Sequence, residues 1–318
     1  MDHLKISVIV PVYNGEETLE KCLNAISKIQ YSKDLYEVIL VNDGSTDNTE
    51  KIAEKFEFLK IVDFKVNKGR LIARKTGAEK ASFNELLFVD SRIEIYEDIL
   101  LKRNEIGYSP LIAGDLGVEK YSSIFDTLFY LIRKKIYSPY FPQVNYKDEL
   151  WITSDNFFNA PKGTGCFFID KNLFLDNLPE DLSKDSNDDT KIMKNIVNDN
   201  VKILRHTGIR LKYHQRKDNN IYSWIHHRGK IWADHYLTFV NIYSILYCLV
   251  SITFLVLLFN CIGSFLFLFV LLLFLLGVYL AENVKDFFIV IRSLPVLAVL
   301  FYFGTIKKLS KNLIKKLT

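Results

Sequence analysis

Four short apolar runs, mostly β-branched, alternate with amphipathic stretches through the N-terminal part of the chain. The runs are Ile6-Ser7-Val8-Ile9-Val10-Pro11-Val12-Tyr13, Val38-Ile39-Leu40-Val41, residues 59–66 and Leu86-Leu87-Phe88-Val89, and they read as strands. Their near-continuous hydrophobicity is that of strands covered on both faces. Pro11 lacks a ladder donor, so pairing is expected to end there. Between the strands, Leu19, Cys22, Leu23 and Ile26 fall at helical spacing behind Asn14-Gly15-Glu16-Glu17, with Asn14 as the expected cap and Glu17 three residues on. Further helices are expected over 47–56 and 69–80. This alternation predicts a doubly wound, mostly parallel α/β sheet with right-handed crossovers.

Beyond residue 93 the pattern is less regular. It predicts a helix over 128–136 that ends on Arg133-Lys134-Lys135, and a turn into a strand at 163–169. A helix opened by Asp185-Ser186-Asn187-Asp188-Asp189-Thr190 follows, then a strand at 201–204. Aromatics and prolines within 137–142 suggest an ordered loop.

The C-terminal third differs sharply, for 236–280 is almost free of charge. Segments 237–259 and 264–280 are each long enough to cross about 30 Å of hydrocarbon. A third apolar stretch, 287–306, contains Arg292, Ser293 and Pro295 and leads into a basic amphipathic tail. Positive-inside logic puts that tail and the N-terminal domain together in the cytoplasm, which two spans achieve and three do not. The stretch is therefore expected to be interfacial or re-entrant. The resulting division is a catalytic domain at 1–235, two transmembrane helices at 236–282, and the interfacial segment with its tail at 283–318.

Composition narrows the classes. The net charge is +4 over 318 residues, with no basic face interleaved with aromatics, so nucleic acid is not an expected partner. The N-terminus runs straight into a strand without a secretory pattern. Four cysteines, Cys22, Cys166, Cys248 and Cys261, form no Cys-x-x-Cys pair, which suggests neither a disulfide framework nor a zinc site and fits a reducing compartment.

Candidate chemistry gathers at strand ends. Asp43 ends the second strand in Asn42-Asp43-Gly44-Ser45-Thr46-Asp47, at the sheet edge where open α/β folds bind ligands. Its carboxylate suits a base N–H or a ribose hydroxyl, although an Asx turn has the same composition. The first strand lacks the Gly-x-Gly-x-x-Gly turn of a dinucleotide site, so a nucleotide would be held differently. Asp90, at the end of the fourth strand in Asp90-Ser91-Arg92, is able to hold a hard divalent cation, which would neutralise a diphosphate leaving group.

Taken together, Pro11-Val12-Tyr13-Asn14, Asn42-Asp43-Gly44-Ser45-Thr46-Asp47, Asn67-Lys68-Gly69, Ala73-Arg74-Lys75-Thr76-Gly77 and Asp90 resemble the family 2 glycosyltransferases of GT-A fold, in the right order. The resemblance covers about the first hundred residues. It implies a nucleotide-diphosphate sugar donor (UDP- or GDP-linked) held by Pro11, Tyr13, Asn14, Asp43, Lys68, Arg74 and Asp90. It also implies a Mn²⁺ or Mg²⁺ ion on Asp90, with His214 as a second candidate ligand. Asp189 aligns with the family's general base and Asp188 with its acidic neighbour. Proton removal from an acceptor hydroxyl is the step that needs such a group. Arg228, Lys230 and Trp232 loosely resemble a segment of membrane-bound members that covers the diphosphate or the acceptor.

Arg92 departs from the pattern, standing where the family has a second metal-binding Asp. Either Asp90 suffices for the cation, or Arg92 itself supplies positive charge to the phosphates. The implied activity is inverting transfer to a hydroxyl of a membrane-associated glycan acceptor, of which a lipid-linked glycan is one form. The alternatives are a polyprenyl-phosphate glycosyltransferase, which needs no base, and a non-catalytic sugar-nucleotide-binding subunit.

Overall fold

The computed structural model describes residues 3–118, 124–138, 149–182, 188–214, 221–237, 242–260 and 262–317. These fall into two compact units, Met1–Lys120 with Pro139–Gln215, and Tyr121–Ser138 with Arg216–Thr318. The helices near 130 and 228 thus group with the C-terminal unit, unlike the division at 235 drawn from composition.

The first unit is built on a nine-stranded sheet. Strands β1 (Ile6–Val12), β2 (Tyr36–Asn42), β3 (Leu59–Asp63) and β4 (Glu85–Val89) are parallel and lie in the order β3-β2-β1-β4. Helices α1 (Leu19–Ser27), α2 (Thr49–Ala53) and α3 (Arg70–Lys80) make the connections. Every residue of β1 and β4 is buried. Alternate side chains feed two cores: Val8, Val10 and Leu40 pack with Leu19, Leu23 and Ile26 on one face, while Ile9, Val41 and Phe88 meet Leu71, Ala73 and Ala78 on the other. Gly77 brings α3 hard against β1, since a Cβ there would lie 2.4 Å from Ile9 Cγ2.

Beyond β4 the sheet is mixed, antiparallel at most joints but parallel between its sixth and ninth strands. β8 (Cys166–Asp170) pairs antiparallel with β4, and the path continues through β6 (Leu111–Val118) and β9 (Ile203–Tyr213) to the short β5 (Ile93–Ile95), with β7 (Glu149–Ile152) beside β9. Helices α4 (Ile99–Ile106), α6 (Lys171–Asp176) and α7 (Asp188–Asn198) complete this unit. β9 is longer than the 201–204 strand expected, because it runs through His206-Thr207-Gly208. A register shift between Ala113 and Asp115 of β6 absorbs the irregularity.

Pro11 does not end its strand. Pairing of β1 with β2 runs on to Val12 opposite Asn42, whereas pairing with β4 stops at Ile9 opposite Phe88. Because Val12 accepts from Asp43 N at 2.8 Å on the β2 side, the donor that Pro11 lacks falls on the side where β4 has already left the ladder.

The second unit holds α5 (Ile124–Ile136), α8 (Ile221–Tyr236), α9 (Ile242–Asn260), α10 (Ile262–Leu280) and α11 (Val284–Leu317). Among the described residues, Ile262–Leu280 and Val284–Ser310 are long and apolar enough to cross a membrane. Residues 287–306, expected to be interfacial or re-entrant, lie within α11, one helix of 34 residues with Pro295 inside it. A single proline removes one i to i−4 bond, and the apolar helix formers on both sides carry the helix through. Backbones approach closely where α8 crosses α11: a Cβ on Gly304 would lie 2.0 Å from His226 O, and one on Gly229 would lie 2.1 Å from Phe301 O.

Candidate active site

At the carboxyl ends of the parallel strands, the β1 and β2 turns are tied to each other. Asn14 has φ of 48°, and its N–H donates to Ser45 Oγ at 3.0 Å while its Oδ1 accepts Thr46 N at 2.8 Å. Gly15 N donates to Thr49 Oγ1 at 2.8 Å, Glu16 N to Asp47 Oδ2 at 3.1 Å, and Asn48 N to Glu16 Oε2 at 3.2 Å. Asn14 therefore bridges turns instead of capping α1, whose N-cap is Thr18, a residue that makes no side-chain cap bond. Pro11 is buried below this turn, while Tyr13 projects from it, 49% exposed.

Asp43 is buried at 2% exposure. Its Oδ1 accepts Lys68 N at 2.6 Å and its Oδ2 accepts Gly69 N at 2.9 Å, so the carboxylate holds the loop that enters α3. Each oxygen keeps a second lone pair for a ligand. Gly44, at φ +68°, lets this loop pass, since a Cβ there would lie 2.5 Å from the Val66 carbonyl carbon. The Lys68 ammonium lies over the Phe64 ring, 4.4 Å from its centroid.

Arg74 sits inside the protein, 1% exposed. Its guanidinium donates to Thr164 Oγ1 at 2.6 Å and to Thr164 O at 2.9 Å, fastening α3 to the turn before β8. That partner was not apparent from sequence, although Thr164 lies in the Gly-Thr-Gly turn already singled out.

Asp90 leaves β4 two strand spacings from Asp43, with β1 between them, or roughly 10 Å at about 4.8 Å per spacing. Its Oδ1 accepts Arg92 Nε at 3.0 Å and Arg92 N at 3.1 Å, and its Oδ2 accepts Arg92 Nη2 at 2.9 Å. Burial alone would raise its pKa, but the Arg92 charge and hydrogen bonds, with Arg70 adding to them, hold it below the usual carboxylate value. Arg70, the first residue of α3, is thus part of the site's field, a role its position after Asn-Lys-Gly did not announce. The Arg92 guanidinium also lies over Tyr213, 5.1 Å from the ring centroid.

His214 is 4% exposed, and its backbone N–H donates to Arg92 O at 2.8 Å. Its ring, however, meets Glu94 through Nε2. Among the described residues no three His, Cys, Asp or Glu side chains cluster as metal ligands. With both Asp90 oxygens engaged by a guanidinium, the donor set does not fit a divalent cation held by the protein.

Helix α7 begins at Asp188, so the backbones of Asp188 and Asp189 lie at a helix N-terminus as expected. Their side chains, and residues 139–148 with most of the 137–142 loop, lie outside the described residues. Arg228, Lys230 and Trp232 belong to α8 in the second unit. There Arg228 is exposed, and Trp232 packs on Phe301 with ring centroids 5.6 Å apart.

Residues 7–102 match the family model described as glycosyl transferase family 2. Glycosyltransferase AglE of Haloferax volcanii is 43% identical over 89 residues, which is 27% of this chain and 29% of that protein. TarS of Staphylococcus aureus, a poly(ribitol-phosphate) beta-N-acetylglucosaminyltransferase, is 38% identical over 101 residues, or 30% of this chain and 18% of TarS. Its crystal structure with UDP-GlcNAc superposes with TM-score 0.52 at 22% identity, covering 72% of this chain and 67% of that one. Mannosyltransferase PcManGT of Pyrobaculum calidifontis, in complex with GDP-Man and Mn²⁺, gives TM-score 0.60 at 15% identity over 97% and 88% of the two chains. The sheet is that of the GT-A fold, as the resemblance implied. The matched segments span less than a third of the length of the curated relatives.

Proposed function

We propose, from the premise that residues 7–102 are a family 2 glycosyltransferase domain, that this chain moves a sugar from a nucleotide-diphosphate sugar to a hydroxyl of a glycan acceptor. The observation that carries this reading is the arrangement at the sheet edge. The Asn14 and Ser45 turns are locked together beside Asp43, and Asp90 and Arg92 follow β4 at the same end of the sheet, where β1 and β4 are no longer paired. The cleft outside parallel strand ends is where open α/β sheets take nucleotides.

Tyr13, Asn14, Asp43 and Lys68 would orient base and ribose over the buried Pro11, and Arg74 would stiffen the wall behind them. Asp189, with Asp188 beside it at the α7 N-terminus, would take the proton of the attacking hydroxyl. Displacement of the nucleoside diphosphate in one in-line step then inverts the anomeric centre. The donor is UDP- or GDP-linked in this reading, supported by the fold neighbours that bind UDP-GlcNAc and GDP-Man. The fold neighbour PcManGT is in complex with Mn²⁺, whereas in this chain both Asp90 oxygens are engaged by Arg92.

The acceptor is membrane-associated, a lipid-linked or polymeric glycan, and the catalytic unit faces the cytoplasm. The apolar α10 and α11 support this, and in this reading Arg228, Lys230 and Trp232 of α8 would meet headgroup and acceptor as an interfacial belt. The test is a panel of UDP-, GDP- and dTDP-sugars. One donor is expected to raise the melting temperature of the purified chain and to release nucleoside diphosphate when acceptor is added. No stabilisation by any member would reject the reading.

A further inference from the structure

Resting on the nucleotide-sugar reading above, we infer that Arg92 is the cation that receives the donor's diphosphate, and that nucleotide binding therefore needs no divalent metal. Three observations converge on it. First, the Asp90 carboxylate is occupied: Arg92 Nε reaches Oδ1 at 3.0 Å and Nη2 reaches Oδ2 at 2.9 Å. A dication at this strand tip must unseat a two-pronged fork, the tightest geometry a carboxylate and guanidinium adopt. Second, no set of three metal-ligating side chains occurs among the described residues, and the ring of His214 is turned to Glu94. Third, the positive charge is fixed in place. The guanidinium is braced by Asp90 on one side and by the Tyr213 ring on another, with Arg70 close enough to act on the same carboxylate.

A guanidinium has five N–H donors. The fork uses Nε and Nη2, and among the described residues no hydrogen bond runs from Nη1. That edge is left to present N–H groups to phosphate oxygens in planar, bidentate fashion, as arginine does and lysine does not. Asp90 then becomes a positioning residue: it holds Arg92 at the cleft and contributes no metal bond.

The experiment is titration of the full-length chain in detergent with UDP and GDP, in EDTA and in Mn²⁺. The wild type is expected to bind one nucleotide with affinities within about threefold in the two buffers. Arg92→Gln is expected to lose about tenfold or more in EDTA, and Arg92→Lys to recover part of it. Arg92→Asp is expected to bind only with Mn²⁺ added. A loss of about tenfold for the wild type on removing Mn²⁺ overturns the inference but leaves the nucleotide-sugar reading standing, and so does Arg92→Gln binding as well as wild type in EDTA. No binding by any nucleotide in either buffer overturns both.

Discussion

Asp43 Oδ2 accepts the backbone N–H of Gly69 at 2.9 Å, so the residue at the end of β2 fixes the entry to α3. The companion bond from Lys68 N, at 2.6 Å, makes the carboxylate a clamp on two successive amides. An amide at this position keeps one acceptor and turns an NH₂ toward a second N–H. Asp43→Asn is expected to cost about 2 kcal/mol of stability, the order of a buried donor left unsatisfied. It should also weaken nucleotide binding. Urea unfolding together with nucleotide titration measures both; an unchanged midpoint would remove the clamp from the account.

Asp189→Asn separates the base from the fold. Removing the group proposed to take the hydroxyl proton is expected to lower turnover by a factor of about 10²–10⁴. Nucleotide affinity should stay as it is. Retained turnover with a lipid phosphate acceptor would instead favour a phosphate nucleophile, which needs no base.

Glu37 gives a pH dependence away from the cleft. Burial opposes its ionisation, but Lys60, Ser7 and Ser82 all donate to it, and its pKa lies below the ordinary 4.5. Ser82 N and Ser7 Oγ each reach Oε1 at 2.6 Å. A lowered folded pKa means stability that is present above the unfolded value and is lost as pH falls through the folded one. Glu37→Gln should therefore be less stable than wild type near neutrality. That gap should close as pH drops below about 4.5. Chemical denaturation at several pH values checks it, and a gap that widens in acid would contradict the assignment.

Gly77 and Gly304 test two close approaches. A Cβ on Gly77 would lie 2.4 Å from Ile9 Cγ2, so Gly77→Ala is expected to destabilise the first unit by about 1–3 kcal/mol despite the gain in helix propensity. At Gly304 the obstacle is the backbone oxygen of His226, 2.0 Å away, which cannot rotate aside. Gly304→Val should force α8 off α11 and lower the melting temperature in detergent. A stable Gly304→Val variant would show that the crossing is loose.

The first four strands and three helices were legible because each run carried its own period and ended in a turn signal. The second half of the sheet was not. β5 has only three residues, and Gly114 interrupts β6 where a Cβ would meet His206 backbone at 2.3 Å. His206-Thr207-Gly208 has the composition of a turn yet lies within β9, opposite that register shift. At the site, Asp43 and Asp90 stood out by position, but their partners did not. The Asp90–Arg92 fork joins residues two apart in a turn, and the Asn14 bonds cross 31 and 32 positions. Neither periodicity nor local capping rules reach such pairings.

Pro11 gives β1 a ladder that is closed toward β2 and open toward β4 beyond Ile9. The sheet thus carries a wedge whose apex is a residue unable to donate. A strand neighbour cannot zip shut there, and nothing at Pro11 asks for one. A ligand entering there would break no β1–β4 ladder bond.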